Sequence, residues 1–483
     1  MRVDLRVSIF AALLLAVLAQ GLGKELSYDE AYTLLCYALP GPGFSLSHLT
    51  VPNNHMLYSV LLSLLTPFRS EPLYRLLSVL FALGSVWLTG RSLASMIPKT
   101  PPALCWATVL AAYIAFPPFL TLATQVRGYS LSMLLVAVLL ALVVPVDRPS
   151  WGAVGAYGTV GALALGTLIT NALPLAALAL FDLARLGLRH KMSRHELLPR
   201  VTRHLLAMVG ACFYVPVWRD LTANVVRGWG WHPKDLVLPL VLPLVLPFGL
   251  VAVALVVRAL AGTRKTAAAA IEEPASLLAL STVAVIGAAL LAGVGLFPRS
   301  FISFLPLVMV AFGAFAIPRL QDRPALLRGL TLATAIVGQV YWQASVNWLL
   351  ADGRLRLPRL FLPPQLEARD FDPYEAMRAS AVRTQGPHPC LVVVDNRDQF
   401  SEEMAFWYYA VLEGVEKYIL FAPRGLDPAA VHARGECIFV VSRDLAGRDG
   451  VAQALGLERA DFVPVKSQGF FKVWRVAFPR NSS

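Results

Sequence analysis

The chain has 483 residues, 57% of them hydrophobic and only 15% charged, with a mean hydropathy of +0.62. No water-soluble protein of this size carries that balance, so the composition excludes a soluble enzyme and implies repeated membrane crossings. The formal charge of +12 falls in loops between apolar stretches, where it is a topology signal rather than a nucleic-acid footprint.

Taken in chain order, stretches near span length are expected at 5–23, 73–91, 101–118, 129–146, 150–168, 172–187, 205–219, 236–258, 276–297, 300–317 and 328–349, eleven in all. Some are short and contain proline, as at Pro174 and at Pro239, Pro243 and Pro247. Residues 1–23 also have signal-peptide character, with Arg2 and Arg6 before an apolar run; a retained first helix is expected. The run 54–68 is apolar but too short for a full crossing. Its placement decides the side of every later loop. With 54–68 lying on the outer surface, the cytoplasmic loops collect 17 Lys and Arg and the outer loops eight. One cytoplasmic loop then holds Arg185, Arg189, Lys191, Arg194, Arg200 and Arg203. The opposite placement would put that loop outside, against the positive-inside rule. The expected topology is therefore a cytoplasmic N-terminus and an outer C-terminal segment.

That topology gathers scattered polar residues on one side. Ser27-Tyr28-Asp29-Glu30-Ala31 follows the first span, and Asn53-Asn54-His55 lies in the same outer loop. Gln125-Val126-Arg127-Gly128-Tyr129 falls in the second outer loop, and Arg299 in the short turn before the tenth span. An acid pair beside hydrocarbon is costly and normally faces a polar cavity or a site. Arginine suits phosphate because its planar fork holds two oxygens. Each also has a plainer reading. Asp29-Glu30 can be an acidic helix start, Arg127 can pair with either acid, His55 can cap or pack, and Arg299 can snorkel. Trp229 and Trp231 fit an aromatic belt better than a sugar platform. No Walker-type phosphate loop, HExxH or CxxC pair occurs.

The order and side of these motifs resemble the first outer loops of the GT-C glycosyltransferases that use polyprenyl-phosphate sugars. The likeness is nearest to the protein mannosyltransferase and aminoarabinose transferase branch (glycosyltransferase family 39 type). It rests on Tyr28-Asp29-Glu30-Ala31, Asn53-Asn54-His55, Gln125-x-Arg127-x-Tyr129 and Arg299 before a span containing Pro306. It covers the membrane portion, about 350 residues. The sequence departs from the family at His55-Met56, where His-Pro is common, and in the second outer loop, where relatives often carry an acid and this chain has Gln125 and Arg127.

The resemblance implies a multi-pass α-helical membrane protein with about eleven spans in residues 1–350, in a bacterial inner membrane. It implies transfer of a sugar from a polyprenyl-phosphate donor to a protein, lipid or cell-envelope glycan on the outer face, with inversion at the anomeric carbon. Asp29 would act as general base with Glu30 as the alternative. Arg127, Arg299, His55, Asn54, Gln125 and Tyr129 would bind the donor phosphate or substrate. No cofactor is assigned; a divalent metal is compatible with the family but is not supported here by a second outer-loop carboxylate, since Gln125 and Arg127 stand where relatives carry an acid. The expected partners are the lipid-linked sugar, its acceptor and membrane lipids, with no nucleic acid. A transporter or flippase for lipid-linked sugars, without bond chemistry, is the alternative, and a silent scaffold displaying the outer domain is a third reading.

Residues 351–483 change character. From Asp352 onward 17 acids balance 17 Lys and Arg. Strands are expected near 390–395, 436–441 and 470–476, with helices at 401–413 and 450–455, which together make a small α/β extracytoplasmic domain. Asp395 ends a strand, where such folds often bind ligands, though a turn residue is the commoner role. Cys390 and Cys437 begin two of the strands. If those strands are parallel neighbours, their starts lie about 5 Å apart, within reach of a disulfide; a strand between them would forbid it.

Overall fold

The computed structural model describes residues 5–23, 25–48, 55–145, 149–187, 194–219, 274–291, 298–320, 329, 333 and 376–379, and in the C-terminal part 390–395, 403–413, 419–422, 437–442, 445–457, 460–467 and 471–477.

The helical part begins with α1 (Leu5–Leu22), then the short α2 (Tyr28–Thr33), which runs into a π-helical turn at Leu34–Ala38. α3 (Pro42–Ser47) and α4 (Met56–Ser63) complete the first loop. α4 and the 3-10 turn Thr66–Phe68 are all that the run 54–68 builds. Eight residues rise about 12 Å, far short of a hydrocarbon core of about 30 Å.

α5 (Glu71–Met96), α6 (Pro102–Ile114), α7 (Pro117–Thr124), α8 (Tyr129–Val143), α9 (Trp151–Thr167), α10 (Ala172–Gly187) and α11 (Arg194–Met208) follow. Then come α12 (Pro274–Leu291), the 3-10 segment Pro298–Phe304 and α13 (Leu305–Leu320). Proline opens several of these helices, as at Pro72 in α5 and Pro102 in α6. Its fixed φ suits the first turn and its missing N–H costs nothing there. Pro117-Pro118 also breaks the expected 101–118 span into α6 and α7, which meet at an 84° bend.

Among the described residues three helices are long and apolar enough to cross a membrane: Glu71–Met96, Ile169–Leu186 and Phe301–Pro318. The bent α6–α7 pair makes a fourth if taken as one span. Val7–Ala19, Tyr129–Val143 and Pro274–Ala289 are apolar but shorter. α5 is the central element, packed against α6, α8 and α13, while α9 lies against α8 and α11.

One expected element changes. The stretch 205–219 does not form a span of its own. Its helix starts earlier, at Arg194, and passes at Val209 into a 3-10 segment ending at Tyr214. Arg200 and Arg203 are therefore not loop charges: both are buried on α11 and paired with Asp182 of α10. The expected spans at 236–258 and nearly all of 328–349, the tryptophans 229 and 231, and the domain boundary at 350/351 lie outside the described residues.

The C-terminal part forms a five-stranded sheet from β1 (Leu391–Asp395), β2 (Ile419–Ala422), β3 (Ile438–Ser442), β4 (Asp461–Lys466) and β5 (Lys472–Ala477). The strand order is β2-β1-β3-β5-β4. β2, β1 and β3 are parallel, and β5 and β4 complete the sheet antiparallel. α14 (Glu403–Glu413) lies between β1 and β2 in sequence, and α15 (Leu445–Ala454) follows β3. β1 and β3 are buried throughout, as befits parallel strands covered on both faces. Leu391 pairs with Ile438, so the residues before them are also adjacent. Cys390 and Cys437 form a disulfide with their Cα atoms 4.6 Å apart. Asp395 is buried and accepts a hydrogen bond from Ser442 Oγ at 3.1 Å, which ties the ends of β1 and β3.

Candidate functional site

The site is built around α2. Ser27 precedes the helix in extended conformation, and Glu30 reaches back to it as in a capping box. Ser27 N and Ser27 Oγ each donate to Glu30 Oε2 at 2.8 Å. The same carboxylate faces Arg75 of α5, whose Nη1 lies 2.7 Å from Glu30 Oε1 and whose Nη2 donates to Oε2 at 3.1 Å. Val126 N, from the loop between α7 and α8, donates to Oε1 at 2.8 Å. Glu30 thus joins three separate pieces of chain. It is 2% exposed and both its oxygens are engaged.

Arg75 completes the same junction. It donates to Thr124 O at 3.0 Å and to Glu25 O at 2.9 Å. A buried guanidinium needs such a set of acceptors, because an unpaired buried charge costs several kcal/mol.

Asp29, one residue earlier on α2, points the other way. Its carboxylate pairs with Arg127 Nη1 at 2.7 Å, and its side chain stays 16% exposed while Arg127 is 1% exposed. Arg127 emerges from a tight turn in which its own N–H donates to Gln125 O at 2.7 Å. That carbonyl also accepts from Ser78 Oγ at 2.6 Å. The Arg127 guanidinium sits over the Tyr129 ring at 5.2 Å, and Tyr129 meets the His55 ring edge-on at 4.5 Å. His55 is fully buried at the start of α4. Gly128 permits this approach: a Cβ there would lie 2.7 Å from His55 Cβ. The Gln125 side chain is 2% exposed, and its amide oxygen and nitrogen have no hydrogen-bond partner among the described residues.

The structure therefore brings together Asp29, Glu30, Gln125, Arg127, Tyr129 and His55. Arg299 lies in the segment Pro298–Phe304, which packs against α7 and α8, the helices flanking the Gln125–Tyr129 loop. Asn54 lies outside the described residues. Arg75 was missing from the expected set, where it stood as an outer-loop charge. Its signal was an arginine one turn inside an apolar helix, which requires an acid partner. Each carboxylate already carries an arginine, and among the described residues no three His, Cys, Asp or Glu side chains are placed to hold an ion.

A second buried ionic cluster lies elsewhere. Asp182 of α10 faces Arg200, Arg203 and His204 of α11, with Arg203 Nε donating to Oδ2 at 3.0 Å and His204 Nε2 3.1 Å from the same oxygen. Arg203 also stacks over Tyr157 of α9 at 5.1 Å.

No protein-family model and no curated protein matches the sequence. Two solved structures match the fold. ArnT from Cupriavidus metallidurans in the apo state has a TM-score of 0.53 and 16% identity, over 98% of this chain and 99% of that one. The same protein bound to undecaprenyl phosphate has a TM-score of 0.51, with the same identity and coverage. At that identity the likeness speaks for the fold alone: this chain shares the overall fold of that protein over nearly the whole length of both.

Proposed function

We propose that this protein is a membrane glycosyltransferase that moves a sugar from a polyprenyl-phosphate donor to an acceptor on the outer face of a bacterial inner membrane. The observation that carries the reading is the partly exposed Asp29 carboxylate held at 2.7 Å by a buried arginine, in a fold shared with a protein that has been seen bound to undecaprenyl phosphate.

In this reading Asp29 accepts the proton of an acceptor hydroxyl or amine as that group attacks the anomeric carbon. The bond from that carbon to the phosphate oxygen breaks, and polyprenyl phosphate departs with the electron pair. Arg127, shared between Asp29 and the phosphate, and Arg299 on the neighbouring segment stabilise the charge that develops on it. A single displacement inverts the anomeric centre. Glu30 is assigned to holding α2, because its oxygens are already occupied by Ser27, Arg75 and Val126. Gln125, His55 and Tyr129 line the donor side.

The test is incubation of the purified protein with radiolabelled polyprenyl-phosphate sugars and a cell-envelope extract. Label moving into an acceptor is the expected result. Movement of intact lipid across vesicles without transfer would overturn this reading in favour of a flippase.

A further inference from the structure

The helix α14 of the C-terminal unit packs against α2. Its residue Tyr409 is 1% exposed, and its hydroxyl makes two contacts with the helical part. Leu26 N donates to the Tyr409 oxygen at 2.8 Å, across 383 residues of sequence. The hydroxyl in turn donates to Glu71 Oε2 at 3.1 Å, at the start of α5. The Tyr408 ring meets the Tyr409 ring edge-on at 5.1 Å. Burial raises the Tyr409 hydroxyl above its ordinary value, so it keeps its proton and can donate to Glu71 while accepting from Leu26.

Leu26 is the residue before Ser27, where α2 begins, and Asp29 lies in the first turn of that helix. The chain entering α2 is thus tied by successive residues to three partners: Glu25 O to Arg75, Leu26 N to Tyr409, and Ser27 N to Glu30. α2 has only six residues. A helix that short has no stability of its own, so the direction of Asp29 depends on these ties. Two of them come from within the helical part, and the third from the C-terminal unit.

We infer that Tyr409 is a positioning residue for the candidate site: from the C-terminal unit its hydroxyl fixes the backbone entering α2 and thereby aims the Asp29 carboxylate. The C-terminal unit is then part of the working site rather than an appendage to it. The effect on turnover rests on the glycosyltransferase reading; the ordering of residues 25–31 does not.

The experiment uses full-length Tyr409→Phe, which keeps the ring and its packing and removes only the hydroxyl. Amide hydrogen exchange across residues 25–31, thermal stability, and kcat and donor KM for transfer are measured beside the wild type. The expected result is exchange at Leu26 and the first turn of α2 faster by about tenfold, as the loss of one buried hydrogen bond implies. kcat falls by a similar factor while donor KM stays unchanged and Tm falls by only a few degrees, as the loss of the hydroxyl's hydrogen bonds implies. Wild-type exchange and kcat in Tyr409→Phe overturn the proposal, as does a fall in kcat matched by a general loss of stability. Should that variant fail to fold, Glu71→Ala frees the same hydroxyl from its other side and is expected to show the same split; no change in exchange at Leu26 would again overturn it. If the wild type transfers no sugar, the functional reading fails, while the exchange comparison still decides the role of Tyr409.

Discussion

Among the described residues two buried ionic clusters stand at opposite ends of α8. Near its start, at Tyr129, lie Asp29–Arg127 and Glu30–Arg75. Near its far end, Arg185 caps Val144 O and Asp182 gathers Arg200, Arg203 and His204. In the second cluster Asp182 and both arginines are 1% exposed and His204 is 13% exposed. In the first, Glu30 is 2% exposed and Asp29, one residue earlier on α2, has a side chain that is 16% exposed. The same chemistry serves two ends. A carboxylate wholly enclosed by its cations braces helices, whereas one left partly exposed can still be reached from outside. Glu30 is enclosed in this way and Asp29, its neighbour, is the partly exposed one.

The largest effects should come from opening the closed pairs. Glu30→Ala leaves Arg75 buried without its carboxylate and is expected to cost roughly 3–5 kcal/mol, seen as poor folding or a large fall in Tm. Asp182→Ala should cost about as much for the same reason, measured by the same thermal unfolding in detergent. The two differ in function: the folded fraction of Asp182→Ala keeps its donor KM and turnover, and that of Glu30→Ala does not. Equal loss of turnover in both would erase the distinction between bracing and working clusters.

The disulfide comes next. Cys390 and Cys437 are 47 residues apart in sequence, and Cys390→Ser with Cys437→Ser should lower the stability of the C-terminal unit by roughly 3–4 kcal/mol. Mass spectrometry of alkylated, unreduced protein should find neither thiol labelled in the wild type. A smaller effect is expected from Gly128→Ala. A Cβ at 2.7 Å from His55 Cβ overpacks the site, at about 1–3 kcal/mol, and should raise donor KM by displacing His55 and Tyr129. An unaltered KM would place these rings outside the binding surface.

Much of this was readable from the sequence, for reasons that also explain the failures. Long apolar runs give α1, α5, α8, α9 and α10 within a few residues, since hydropathy reports burial directly. β1 and β3 are continuous apolar runs, and the matching positions of Cys390 and Cys437 at their starts made a bridge a definite geometric question. β2 was missed because Ile419–Ala422 is only four residues long. β4 was missed because Asp461–Lys466 is a largely exposed edge strand containing Pro464, and proline is tolerated in sheets mainly at such edges. In the site, the order of motifs along the chain pointed to Asp29, Glu30, Gln125 and Arg127. It did not reveal which arginine meets which acid, because Arg75 lies at the edge of an apolar run and its pairing depends on how helices pack. Tyr409 carried no local signal at all, since its partners are Leu26 and Glu71.

The most direct test of the account is single-turnover transfer by Asp29→Asn, measured beside its binding of undecaprenyl phosphate. Loss of a general base typically lowers rate by about 10²–10⁴-fold. The account predicts a fall of that size in a chain that still folds, because Asn keeps the shape of the side chain, can still accept a hydrogen bond from Arg127 and leaves Glu30, Arg75 and Val126 joined. Transfer at the wild-type rate in Asp29→Asn would contradict it.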